Sequence, residues 1–287
     1  MRFCIQHSTC YKYERPVLLG PQTIRLRPRH DVNQTLGAFR LSVEPKPDFQ
    51  SAILDLEGNN LLRLWFDDVP VSTLAIHSYA VVETHLTNPF DYLAEPWAVT
   101  LPLDYPCSLA NSLQPYCRPI LPASMDAEVV ALAQSILQEV SGNVSMFLTT
   151  FTQRIYGQCQ YQVRELGPPL PAGVTWRQKK GSCRDFAALL MAGCQSVGLA
   201  ARFVSGYEAG DINQDQRDLH AWTEVYIPGG GWRGFDPTHG LAVADRHIAL
   251  AAAPFPQMVA PVSGELRTKG ISASLETNIH LEIEASQ

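Results

Sequence analysis

Three residues in one order, a cysteine, a histidine and an aspartate, could carry out covalent chemistry in this chain. Cys183 follows a Gly-Ser pair and precedes an apolar run, His220 begins His-Ala-Trp-Thr-Glu, and Asp236 lies within Phe-Asp-Pro-Thr. Free N–H groups in the first turn of a helix favour a thiolate, which is the reactive form of cysteine. A histidine can accept the thiol proton, and a carboxylate on its far nitrogen fixes the tautomer. The set predicts acyl transfer, with Cys183, His220 and Asp236 as the catalytic residues.

The other reactive residue types have less support from their surroundings. Cys194 is the competing thiol, but the pattern places it in the middle of a helix, far from an activating terminus. Asp185 is interpreted as a first-turn helix charge rather than as a participant in the reaction. The amide of Cys183 is a natural oxyanion donor. Gln178 and Tyr161 are candidates for the second donor by position and polarity.

The other histidines lack the clustered spacing that is typical of a metal site, so the sequence predicts no metal and no cofactor. Residues 220, 222 and 224 share one face of a predicted strand. On that face, Trp222 should wall the base from water, and Glu224 is either a solvated charge or a salt-bridge partner.

Helices and short strands must position these groups. Ser124 is expected to cap a helix with a buried stripe from Val129 to Val140, and a second helix is expected over 144–155. A third helix is predicted from about 182 to 197, followed by strands at 201–207, 221–227 and 232–236. Alternating residues in the tail, at 271–275 and 279–283, favour a final hairpin.

The composition of the whole chain limits the class of protein, its partners and its compartment. Its 287 residues are 46% hydrophobic and 17% charged, which is typical of a soluble globular protein. A net charge of −6 and a pI near 5.7 argue against nucleic acid or an anionic membrane as the main partner. The expected partner is a protein or peptide substrate. Seven dispersed cysteines without a CxxC pair fit a reduced compartment. The N-terminus turns polar too early for a signal peptide, so a cytoplasmic location is expected.

Two domains are predicted. Residues 1–120 contain alternating strands and then a proline-marked linker, which favours an antiparallel β-sandwich. Residues 121–287 place helices before strands, which is an α+β order. The predicted fold class is therefore α+β, with an antiparallel β-sandwich in front of the catalytic core.

Four segments, at residues 181–187, 200–207, 220–226 and 231–238, resemble the core of the bacterial transglutaminase-like proteins. Segments at 7–13, 22–29 and 55–59 are similar to the leading domain of that family. The resemblance implies a papain-like α+β catalytic domain and the same triad. Its members include transglutaminases, cysteine peptidases and amidases. The chain departs from the family at His239, where asparagine is common, and after Leu250, where a Gly-Arg-Asp motif is absent.

Three functions remain open. The leading hypothesis is hydrolysis of peptide or isopeptide-type amides through a Cys183 thioester. The first alternative is a protein-glutamine gamma-glutamyltransferase, in which an amine resolves the same thioester. The second alternative is a non-catalytic protein-binding scaffold, against which the intact Cys-His-Asp set argues.

Overall fold

The strands of the N-terminal half alternate apolar and polar residues, which favours half-buried antiparallel sheets. The computed structural model describes residues 1–117, 126–164, 167–210 and 219–284. The first strands are β1 (Arg2–Val17), β2 (Leu19–Ile24), β3 (Gln34–Glu44), β4 (Phe49–Leu54), β5 (Asn60–Trp65) and β6 (Val71–Thr84).

These strands form two antiparallel sheets, and two strands from the end of the chain, β14 (Val262–Leu266) and β15 (Ala273–Glu284), complete them. The strand orders are β15-β1-β6-β3 and β14-β2-β5-β4. Phe3 and Ile76 of the first sheet and Ile24 and Leu64 of the second lie in one buried cluster, each at most 2% exposed. The predicted antiparallel β-sandwich is confirmed.

Helices precede a second antiparallel sheet in the rest of the chain, which confirms the α+β class. The helices are α1 (Cys107–Cys117), α2 (Ala127–Glu139), α3 (Val144–Gln158), α4 (Ala172–Gln178) and α5 (Cys183–Ser196). The remaining strands are β7 (Gln160–Tyr161), β8 (Lys180–Gly181), β9 (Ala201–Glu208), β10 (His220–Ile227), β11 (Gly231–Asp236), β12 (Leu241–Ala242) and β13 (His247–Ala253). Strands β7 and β8 pair with each other, and the main sheet has the order β12-β11-β10-β9-β13.

Helix α5 is central to this half because its sequence is apolar on almost every side. Phe186, Leu189 and Leu190 are each at most 1% exposed. The helix packs across β10 and β9, and the Thr223 hydroxyl donates a hydrogen bond of 2.7 Å to the Ala187 carbonyl. The N-terminal part of α5 is thereby fixed against the middle of β10. None of the helices in the described ranges is long and apolar enough to span a bilayer.

Several sequence expectations change. Ser124 and the predicted boundary near residue 120 lie outside the described residues. The cap of α2 is Asp126, whose carboxylate accepts a hydrogen bond of 3.0 Å from the Glu128 amide. The proline-marked stretch predicted as a linker contains α1. The predicted final hairpin is wrong, because residues 273–284 form one strand that pairs with β1 along its length.

Strand β13 joins the two halves. It is an edge strand of the main sheet, and an edge strand has backbone groups that need partners. At Ala249 both partners come from the side-chain amide of Gln34. Its oxygen accepts a hydrogen bond of 2.8 Å from the Ala249 N–H, and its NH₂ group donates one of 3.0 Å to the Ala249 carbonyl. Asn59 does the same at Ala252, with two bonds of 2.9 Å. Side chains of the sandwich thus act as a substitute strand along the free edge of β13.

Candidate active site

Cys183 is the first residue of α5 and is 6% exposed. Gly181 precedes it on β8, and a Cβ at that position would lie 2.8 Å from Asp185 Cβ and 3.0 Å from the Phe186 ring. The glycine is therefore needed for this close packing. The helix start leaves the first N–H groups of α5 without intrahelical partners, which favours negative charge at the sulfur.

Asp185 anchors the start of α5, in agreement with its interpretation as a first-turn charge. Its fully buried carboxylate accepts hydrogen bonds from the Ser182 amide and hydroxyl, both at 2.8 Å, and from the Leu170 amide at 2.7 Å. Arg164 pairs with it at 2.5 Å. Burial acts to raise the pKa of Asp185, but these donors hold the pKa below its usual value. These hydrogen bonds and the ion pair give the Asp185 carboxylate a structural role at the start of α5.

His220 lies at the first position of β10 and connects the thiol to the carboxylate. Its Nε2 is 2.7 Å from Asp236 Oδ2. Its other nitrogen, Nδ1, is left for the Cys183 side chain, which acts electrostatically on the imidazole and whose sulfur lies 3.9 Å from the Leu219 carbonyl oxygen. Burial acts to lower the pKa of His220, but the charge and hydrogen bond of Asp236, together with Cys183, raise that pKa well above the ordinary value. The arrangement favours a protonated imidazole beside the Cys183 side chain.

Asp236 ends β11, as the sequence predicts, and is fully buried. Its Oδ1 accepts a hydrogen bond of 2.8 Å from the Thr238 amide. Its Oδ2 accepts from His220 and, at 3.0 Å, from Nε2 of His247. Burial acts to raise the pKa of Asp236, but the two histidines hold that pKa well below its usual range. The structure therefore brings all three predicted residues together, with His220 hydrogen-bonded to Asp236 and in electrostatic contact with Cys183.

His247 was missed by the sequence reasoning, which selected no further histidine. It is the first residue of β13, eleven positions after Asp236, and no local motif marks it. One ligand atom each from His220, Asp236 and His247 lies within 4.8 Å of the others, so this set could hold a metal ion by proximity. However, both histidine nitrogens already donate to the same carboxylate oxygen, which gives each of them a partner without a metal.

A second histidine–carboxylate pair lies beside His220. The His239 ring centroid is 5.4 Å from that of His220, and His239 Nε2 is 3.2 Å from Glu208 Oε2. Burial acts to raise the pKa of Glu208, but the hydrogen bond and charge of His239 lower it to about 2. The same hydrogen bond raises the pKa of His239, so the pair holds opposite charges close to the candidate base. His239 is also the position at which the chain departs from the family pattern.

Trp222 covers one side of the His220 imidazole, as predicted. Its ring stacks on His220 with centroids 6.2 Å apart, and it is 1% exposed. Gly206 lies opposite His220 in the register, where a Cβ would lie 2.6 Å from the Trp222 ring. Glu224, two residues further along β10, forms a 2.6 Å salt bridge with Arg202, which settles its role as an ion-pair partner.

The two candidates for the second oxyanion donor lie in different surroundings. Tyr161 pairs with Gly181 across β7 and β8, and its ring meets the edge of Phe186 with centroids 6.4 Å apart. It therefore lies beside the first turn of α5. Gln178 is exposed at the end of α4. Both remain candidates.

Comparison with known proteins gives the class. Residues 3–83 match the family model of the bacterial transglutaminase-like N-terminal region, and residues 130–237 match that of the transglutaminase-like superfamily. The chain is therefore a transglutaminase-like protein that carries the N-terminal region of the bacterial members. The predicted resemblance is confirmed.

Individual relatives extend this result. An uncharacterized protein of Mycobacterium tuberculosis is 27% identical over 292 residues, covering 97% of this chain and 91% of that protein. The protein-glutamine gamma-glutamyltransferase of Pseudomonas aeruginosa is 34% identical over 71 residues, covering 22% of this chain and 11% of that protein. A solved structure from Cytophaga hutchinsonii, described as a candidate cysteine protease, superposes with a TM-score of 0.69 at 21% identity and covers 98% of both chains. That likeness shows the fold.

Proposed function

We propose that this protein is a cysteine-nucleophile acyl-transfer enzyme that hydrolyses peptide or isopeptide-type amides through a thioester on Cys183. The observation that supports this most is the placement of His220 between Cys183, at the start of α5, and the buried Asp236, to which it is hydrogen-bonded at 2.7 Å. A nucleophile, a base and an orienting carboxylate in that order are the requirements of covalent acyl transfer.

The reaction begins with transfer of the Cys183 thiol proton to His220 Nδ1, and the thiolate attacks the substrate carbonyl. The Cys183 amide, at the start of α5, can donate to the oxyanion of the tetrahedral intermediate. His220 then returns its proton to the leaving amine, and the acyl group remains on sulfur. Water attacks the thioester while His220 accepts its proton, the tetrahedral intermediate expels the Cys183 thiolate and becomes the carboxylic acid, and His220 returns its proton to the sulfur. Asp236 stays ionised and stabilises the imidazolium in both halves of the reaction.

A second candidate is transglutaminase activity, in which a primary amine replaces water in the second half-reaction. The local match to the Pseudomonas aeruginosa gamma-glutamyltransferase favours this candidate.

One assay separates these functions. The purified protein is incubated with a peptide library and a labelled primary amine, and the products are analysed by mass spectrometry. We expect cleavage or deamidation; incorporation of the amine would select the transglutaminase. Cys183→Ala should abolish every product, whereas Cys107→Ala, at an exposed thiol on α1, should change none.

The same assay addresses a non-catalytic scaffold. If the wild-type protein and Cys183→Ala bind the same peptides and neither changes their mass, the enzymatic proposal is refuted.

A cytoplasmic location is part of the proposal, and its support is that all seven cysteines are free thiols. Fractionation of cells that produce the protein would test that location.

A further inference from the structure

The carboxylate of Asp236 is held by two histidines, and the mechanism above uses only one of them. His247 Nε2 lies 3.0 Å from the same Oδ2 that His220 contacts at 2.7 Å. Because an ionised carboxylate can only accept, both nitrogens must carry the proton of the bond. His247 is 7% exposed, and its ring meets the edge of Trp222 with centroids 5.2 Å apart. A buried histidine in this position has a defined orientation and a defined partner.

The strand that carries His247 is fixed from both sides. On one side β13 pairs with β9, and on the other the Gln34 amide bonds Ala249, two residues after His247. The Thr84 hydroxyl also donates a hydrogen bond of 2.7 Å to the Asp245 carbonyl, two residues before it. Gln34 and Thr84 both belong to the sandwich. The N-terminal half therefore helps to set the position of His247.

We propose that His247 is a positioning residue of the active site, which pins the Asp236 carboxylate against His220 and takes up part of its negative charge. This inference rests on the proposed function. With Thr238 on Oδ1 and two histidines on Oδ2, the carboxylate has three donors and cannot rotate without breaking at least one bond. His247 itself contacts no reacting atom.

Removing the His247 donor has two physical effects. The carboxylate gains rotational freedom, and its charge is no longer shared, so it stabilises the His220 imidazolium more strongly. The other ionisable groups that face this imidazolium are Cys183, His239 and Glu208. Glu208 pairs with His247 only through the backbone register of β13 and β9, which the side-chain substitution leaves in place, so the change should be assignable to Asp236.

The test follows the rate at which iodoacetamide alkylates Cys183 as a function of pH, which needs no known substrate. His247→Asn removes the donor, since its amide is too short to reach Oδ2, and His247→Gln restores a donor. In His247→Asn the upper inflection, where the imidazolium loses its proton, should move up by about one pH unit. His247→Gln should lie close to the wild type. The matched control is His280→Asn, at a half-exposed histidine on β15 paired with Glu282.

His247→Leu serves as a second donor-free variant if His247→Asn does not fold, and thermal unfolding checks every variant. If a folded donor-free variant keeps the wild-type inflection, the positioning role is overturned. If the wild-type Cys183 shows no inflection and no preferential alkylation, the proposed function fails instead. The two failures are therefore distinguishable.

Discussion

Replacement of Asp236 by asparagine is the sharpest test of the site, because the change keeps the shape and removes only the charge and one acceptor. The carboxylate accepts from the Thr238 amide on Oδ1 and from His220 and His247 on Oδ2. An asparagine side chain has a single oxygen, and its NH₂ group must face either Thr238 or the histidines. In either orientation the NH₂ group faces another hydrogen-bond donor, at a position that is fully buried.

The two orientations have different costs. If the NH₂ group faces Thr238, a buried donor loses its acceptor, which costs about 1–3 kcal/mol of stability. If it faces the histidines, His220 must expose an unprotonated Nε2 and carry its proton on Nδ1, the nitrogen nearest Cys183. That tautomer cannot accept the thiol proton. We expect a loss of about 10⁴-fold in kcat, the magnitude typical of this substitution in a catalytic triad.

The assay is kcat/KM on a substrate from the peptide screen, together with the alkylation rate of Cys183 against pH. Asp245→Asn, the same substitution on the turn before β13, is the matched control. Removal of the charge should lower the pKa of His220, and the thiolate fraction of Cys183 at neutral pH should fall with it. Turnover and an alkylation profile both equal to those of the wild type would refute the reasoning.

Four further results are expected. Under limiting iodoacetamide, peptide mapping should find Cys183 labelled first and Cys194 unlabelled until unfolding, since burial raises the pKa of the Cys194 thiol; the reverse order would contradict the assignment. His220→Ala should abolish turnover, and near-normal rates would place the base elsewhere. Because the pKa of His220 is raised in the fold, its stabilising contribution relative to His220→Ala should be complete below about pH 6.5 and decline as the pH rises, as measured by urea unfolding. Asp185→Asn removes the carboxylate from Arg164 and should lower the free energy of unfolding by about 2 kcal/mol; an unchanged urea midpoint would show that this ion pair is not stabilising.

The sequence predicts best where a short motif determines the local structure. The position of Cys183 at a helix start follows from the apolar run behind it, and that of Asp236 at a strand end follows from the proline after it. His247 could not be predicted in the same way, because its role depends on strand pairing and not on its neighbours. Likewise, residues 273–284 alternate in a way that fits a hairpin or a single strand, and only the pairing with β1 separates the two. Contacts across more than two hundred residues leave no local pattern.

The return of β15 to β1 also determines how the molecule would respond to mechanical load. The register places Arg2 opposite Glu284, so these two residues lie side by side at one end of an antiparallel pair. The segment that contains Cys183 forms one long excursion between β6 and β14. Force applied between Arg2 and Glu284 would act across the strands and open their hydrogen bonds one after another, as a zipper opens. The excursion lies outside that line of force, so the sandwich would yield before the active site was strained.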